Sequence, residues 1–169
     1  VLLDRWFDVP GGAVTDLTSL PAFPQTPDET RIMANFVAPS NAADNFGARM
    51  RGFVIPPSDG DYRFWIAADD NAELWVSSDA SPDNASLVAH VPSWTKAYEW
   101  KKFPEQESQS IALTKGVVVY VEALMKEQGG GDNLAVAWAP TGQQPQFIKQ
   151  KDVNVYRATN QDPRAEDDE

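Results

Sequence analysis

Gly60-Asp61-Tyr62-Arg63-Phe64-Trp65-Ile66-Ala67-Ala68-Asp69-Asp70-Asn71-Ala72-Glu73-Leu74-Trp75-Val76-Ser77 decides the fold class. Tyr62, Phe64 and Ile66 share one face at a period of two, the spacing of a strand with one buried side. Glu73 to Ser77 reads as its partner, so the polar run Ala68 to Ala72 becomes the tip of a hairpin carrying two adjacent carboxylates. Ser58-Asp59-Gly60-Asp61 supplies a turn before this pair, where glycine takes positive φ at no steric cost.

The same pattern extends outward. Strands are predicted at Leu2 to Val9, Met50 to Ile55, Ser86 to Val91, Ser110 to Leu113, Val117 to Met125, Leu134 to Trp138 and Phe147 to Tyr156. Val117-Val118-Val119-Tyr120-Val121 is apolar on both faces, as a central strand packed on each side requires. Residues 17 to 48, rich in Pro, Asn, Ser and Asp, read as a long decorated connection. Short strands separated by turns predict an all-β antiparallel β-sandwich with decorated loops. The boundary is placed at residue 158, with 159–169 an acidic linker or tail that lacks large apolar side chains.

Composition removes whole classes of function. The 169 residues, 42% hydrophobic, fit one domain, and 14 Lys and Arg against 25 Asp and Glu give a net charge of −11. Such a surface repels nucleic acid and anionic membranes, which need clustered positive charge, and it attracts divalent cations. No cysteine is present, which excludes thiol catalysis, disulfides and Cys-type zinc sites. No apolar run reaches the roughly 18 residues that span a bilayer, so membrane insertion is not expected. Val1 leads straight into strand-like sequence, as in a monomeric module within a longer chain.

Catalysis has few supports. His90 is the single histidine, in strand-like Val88-Ala89-His90-Val91, and no acid pair is singled out as a general acid and base. An enzyme is not expected.

Two segments combine hard oxygen donors with backbone freedom: Asp69-Asp70, and Gln128-Gly129-Gly130-Gly131-Asp132-Asn133. Calcium takes about 6–8 oxygen ligands and tolerates irregular geometry, whereas magnesium demands a tighter octahedron. Successive side chains of an extended chain point to opposite sides, so one ion sees both aspartates only if the peptide between them is cis. On residue chemistry alone, an ordinary polar turn and a flexible loop account for the two segments equally well. Trp94 and Trp100 lie in a loop-like stretch and are candidate sugar-stacking surfaces, while Trp6, Trp65, Trp75 and Trp138 fall in strand sequence and are expected mostly in the core.

The blocks Arg51-Gly52-Phe53-Val54-Ile55-Pro56-Pro57, Gly60 to Trp75, Tyr120 to Glu127 and Gly129 to Trp138 occur in an order and spacing that resembles the protective-antigen-type (PA-fourteen) domain, over roughly Leu2 to Pro140. That resemblance implies a β-sandwich and, in the lectin branch, calcium held by two cis-linked aspartates and a second loop, with sugar hydroxyls completing the coordination. The implied calcium ligands are Asp69, Asp70, Asp132, the Gly130 carbonyl and Gln128, with Asn133 competing with Asp132. The implied sugar contacts are Gln128, Gly129, Asn133 and Trp94. The resemblance therefore points to a calcium-dependent lectin module of a secreted or cell-surface bacterial adhesin, acting in cell adhesion and biofilm and binding fucose-, mannose- or glucose-type glycans. The alternatives are a carbohydrate-binding module attached to a polysaccharide-degrading enzyme and a structural spacer that binds no sugar.

Overall fold

A computed structural model describes residues 1–156; the expected tail at 159–169 lies outside them. Among the described residues the strands in chain order are β1 (Leu2–Trp6), β2 (Glu29–Ile32), β3 (Phe46–Val54), β4 (Gly60–Asp69), β5 (Asn71–Ser77), β6 (Ala85–Val91), β7 (Ile111–Leu113), β8 (Val119–Glu127), β9 (Asn133–Pro140), β10 (Gln146–Phe147) and β11 (Val153–Val155), with one short α-helix, α1 (Val14–Thr18). They form two antiparallel sheets. One runs β2-β1-β3-β8-β5-β6, with β11 also paired to β3, and the other runs β10-β9-β4-β7.

The period-two reading of the sequence explains what lies between the sheets. Phe64 and Ile66 of β4, Leu74 of β5, Val121 and Ala123 of β8 and Val136 of β9 have no exposed surface and belong to one core cluster. The doubly apolar β8 stands in the middle of its sheet between β3 and β5, as its sequence requires. Its far side packs Tyr120 against Phe53, with ring centroids 6.1 Å apart. Helix α1 closes one end through Leu17, whose methyl lies 2.5 Å from where a Cβ on Gly47 would stand, so β3 needs glycine there.

Three expectations are corrected. First, β4 and β5 do not pair with each other: β4 pairs with β9 and β7, and β5 with β8 and β6. Only Asp70 separates the two strands, one residue fewer than the shortest common hairpin loop of about two. Asp69-Asp70 is therefore the point where the chain crosses from one sheet to the other. The β8–β9 connection makes the reverse crossing beside it, since Asp69 is in register with Asn133 and Asn71 with Lys126.

Second, residues 17 to 48 are not only a connection. They hold the end of α1, the edge strand β2 and the start of β3. The polar β2 is held by side chains rather than core packing: Thr30 donates to Asp4 at 2.7 Å, and Arg5 pairs with Glu29 at 3.1 Å. Third, the single strand expected at Phe147 to Tyr156 is two, β10 in one sheet and β11 in the other, joined through buried Ile148 and a short 3-10 turn at Gln150–Asp152.

Candidate functional site

Both crossings deliver acidic side chains to one end of the sandwich. The Asp69–Asp70 peptide is cis. One carboxylate oxygen from each aspartate and one from Glu127, the last residue of β8, all lie within 4.8 Å of one another. Asp70 Oδ2 accepts a hydrogen bond from the Gln128 backbone N–H at 3.0 Å, which fastens the turn between β4 and β5 to the 128–133 loop.

Glu127 has no exposed surface, and neither of its carboxylate oxygens has a hydrogen-bond partner. Burial, followed by the charges of Asp70 and Asp69, pushes its carboxyl up to about 8. Asp69 is raised to about 7, first by burial and then by its hydrogen bond with Asp70 and the charges of Asp70 and Asp132. Carboxyls that resist ionisation because burial strips them of water and neighbouring acids repel their charge are short of a positive partner. Lys126, on the adjacent position of β8, feels the charges of Glu127 and Asp70 but makes no ion pair with either carboxylate; its Nζ donates to the backbone carbonyls of Gly11 and Glu127.

The surrounding loops hold this group in place. Thr95 is fully buried along the free edge of β4: its N–H donates to Ala68 O at 2.7 Å, and its hydroxyl accepts from Ala68 N–H at 3.1 Å. The Thr95 carbonyl accepts from Asn133 Nδ2 at 3.0 Å, leaving Asn133 Oδ1 buried without a partner. Asp132 Oδ2 accepts from the Ala42 and Ala43 N–H groups at 2.7 and 3.3 Å, and Asn45 N–H donates to Gln128 O at 3.1 Å. The 41–45 segment thus clamps the glycine loop from behind.

Of the residues singled out in the sequence, Asp69 and Asp70 meet. Asp132 is near enough for its charge to act on Asp69, while one of its carboxylate oxygens is committed to Ala42 and Ala43. Gln128 contributes its backbone; its side-chain oxygen stands 3.1 Å from where a Cβ on Gly12 would be. Gly129 and Gly130 are exposed, Gly130 with φ +91°, a left-handed value that favours glycine. Trp94 is 44% exposed and bridges Asp69 backbone to backbone; Lys102 Nζ lies 3.5 Å from its ring centroid, covering one face. Trp100 instead packs on the outer face of β4 and β9, against Trp65, Ala137 and Ala139.

Glu127 is the residue sequence reasoning missed, although a signal was present. Val119, Val121, Ala123 and Met125 are the core-facing positions of β8, and Glu127 continues that parity with a carboxylate. The oxygens gathered here fit a hard cation of the calcium type. They are the carboxylates of Asp69, Asp70 and Glu127, both Glu127 oxygens being buried and unpartnered, and Asn133, in register with Asp69, adds a further buried and unpartnered amide oxygen at the start of β9.

Comparison with known proteins agrees with this architecture. A mouse N-acetyl-beta-glucosaminyl-glycoprotein 4-beta-N-acetylgalactosaminyltransferase 1 is 40% identical over 133 residues, 76% of this chain, but the chain spans only 13% of that protein's length. The solved PA14 sugar-binding domain of an RTX adhesin superimposes with a TM-score of 0.66 at 16% identity, covering 92% of this chain and 97% of that one. The A domain of epithelial adhesin 6 from Candida glabrata, in complex with Galb1-3GlcNAc, gives a TM-score of 0.60 at 11% identity, covering 92% and 86%. At these identities the two solved structures establish the fold. The PA14 domain model matches residues 13–152, and with that match spanning most of the sandwich and both acidic crossings, the chain belongs to the PA14 domain family.

Proposed function

We propose that the chain is a calcium-dependent carbohydrate-binding module that works outside the cell or at its surface. The observation that carries this reading is the convergence of Asp69, Asp70 and Glu127 within 4.8 Å, with no cationic side chain ion-paired to them among the described residues. Asp69 and Asp70 would hold the ion from the β4–β5 turn, and the Asn133 amide oxygen and the Gly130 carbonyl are donors available from the second loop, which Asp132 fastens to the 41–45 segment. When bound, calcium supplies coordination positions that a pair of neighbouring sugar hydroxyls fills in place of water.

The remaining steps belong to the chain itself. Gly129 and Gly130, with no side chains, leave the outer side of the site open. Trp94 stands beside Asp69 as the apolar wall against which a sugar ring orients, and Lys102 fixes the tryptophan by donating to its carbonyl at 2.9 Å. A shallow, wet site of this kind binds one sugar weakly, so firm adhesion needs many copies.

Fucose-, mannose- and glucose-type sugars present suitable diols. The Galb1-3GlcNAc in the yeast adhesin complex, and the N-acetyl-hexosamine chemistry in the mouse transferase's name, add galactose and N-acetylglucosamine termini to the candidates. An adhesin module is the first reading, and the RTX adhesin domain, matched over nearly its whole length, favours it. Because the 40% identical segment is part of a glycosyltransferase, a second reading stands beside it: a carbohydrate-binding module that delivers an attached enzyme to its glycan. A glycan array read with calcium and again with chelator tests the proposal. Binding that disappears with chelator supports it, and binding that survives points to aromatic stacking at Trp94 instead.

A further inference from the structure

We propose that Glu127 is a direct ligand of the cation, closing the buried side of the site with a third carboxylate, and that Asp132 acts from behind as a positioning residue. This rests on the calcium reading above. Each named group has a different local balance. Glu127 is fully buried at the end of β8, its two oxygens lack any hydrogen-bond donor, and one of them lies within 4.8 Å of a carboxylate oxygen from each of Asp69 and Asp70. A buried carboxylate is stable only when hydrogen-bonded or paired with positive charge, and a cation touching all three oxygens meets that need at once. Lys126, one residue away, spends its hydrogen bonds on two backbone carbonyls and makes no ion pair with the Glu127 carboxylate.

Asp132 is in the opposite position. Two amide N–H groups, of Ala42 and Ala43, already engage its Oδ2, its own N–H donates to Asn41 Oδ1 at 3.3 Å, and its carboxylate does not complete a three-acid group within 4.8 Å. Its contacts hold the glycine loop against the 41–45 segment, so its effect on the ion is indirect. Asn133, whose Oδ1 is buried and unpartnered at the start of β9, is the neutral oxygen best placed to join the three carboxylates. With its anionic ligands on the buried side, the ion stays resident while sugars come and go on the open side.

Calcium binding in the absence of sugar is the readout that tests the assignment. Calcium alone is titrated calorimetrically into the chelator-stripped chain, and tryptophan-sensitised terbium(III) luminescence serves as a second reading. Glu127→Gln and Asp69→Asn should each weaken calcium binding about a hundredfold or more, as loss of a buried charge partner does. Asp132→Ala should weaken it about tenfold, the scale of a residue that orients ligands. The unaltered chain carrying 13C-labelled glutamate gives a reading that no folding defect can disturb: a calcium-induced shift of a glutamate carboxylate band in the infrared supports the assignment, and no shift overturns it. Glu127→Gln binding calcium as the unaltered chain does, while Asp69→Asn has lost it, overturns the role of Glu127 and leaves the calcium reading intact. No calcium binding by the unaltered chain overturns both.

Discussion

Glu127→Gln should stabilise the domain when no cation is present, and abundant calcium should erase most of that advantage, because a hundredfold weaker ion site forfeits up to about 2.7 kcal/mol of ligand stabilisation. Two unit charges 4.8 Å apart, the outer limit for the three carboxylates, repel by about 3.5 kcal/mol at an effective dielectric of about 20. All three ionised together would hold about 10 kcal/mol of repulsion, comparable with the whole stability of a domain this size. Holding a proton on Glu127 avoids most of it. At about pH 7.5 that proton costs about 4 kcal/mol for a carboxyl whose ordinary pKa is about 4.3. Glutamine keeps the shape and needs no proton, so the cation-free variant should gain about 2–4 kcal/mol, or roughly 5–15 °C in Tm.

The pH dependence carries the sign of the argument. The Glu127 carboxyl is raised in the fold, to about 8, so its favourable contribution is complete below its ordinary pKa and is lost progressively as pH climbs from there through the raised value. The advantage of glutamine should therefore be nearly absent at about pH 4.5 and greatest above about pH 8. Calorimetric melts of both proteins in chelator across that range, repeated with millimolar calcium, read the effect. A variant less stable than the unaltered chain in chelator at about pH 7.5, or a gain that does not change with pH, would refute the reasoning.

Calcium at about a hundredfold above its Kd should stabilise the unaltered chain by about 2.7 kcal/mol, seen as a Tm rise that chelator reverses. Asp132→Ala should speed amide exchange at Ala42 and Ala43, whose N–H groups lose their acceptor, and cost about 1–3 kcal/mol in urea unfolding. Phe64→Ala, at a position with no exposed surface, should cost about 3–5 kcal/mol in the same assay. Trp94→Ala should weaken sugar binding while leaving calcium affinity unchanged, as separate titrations of the two ligands will reveal.

Much of the sandwich was legible because alternation is a local property. Tyr62, Phe64 and Ile66 mark the inner face of β4 whichever strand lies beside it, and the doubly apolar Val119-Tyr120-Val121 marks a central strand. Partnership is not local. β4 and β5 are joined by one residue and belong to different sheets, so the carboxylates sit at a crossing rather than at the tip of a hairpin. Glu127 was overlooked because a carboxylate on an apolar face becomes conspicuous only once neighbouring acids converge on it. The 41–45 clamp was invisible for the opposite reason: its grip is backbone N–H groups of Ala42, Ala43 and Asn45, and no side-chain pattern announces those.

The paired crossings also bear on how the molecule answers a pull. Asp69 and Asn133 end and begin strands of one sheet, while Glu127 ends a strand of the other, all at the same end of the sandwich. Between the sheets lies mainly apolar packing, which gives way under shear because slip along the interface exchanges one greasy contact for another. Groups bound together at that end act as a rivet between two plates, and slip then requires the rivet to fail first. On the calcium reading proposed above, ion occupancy would set the force at which the plates part.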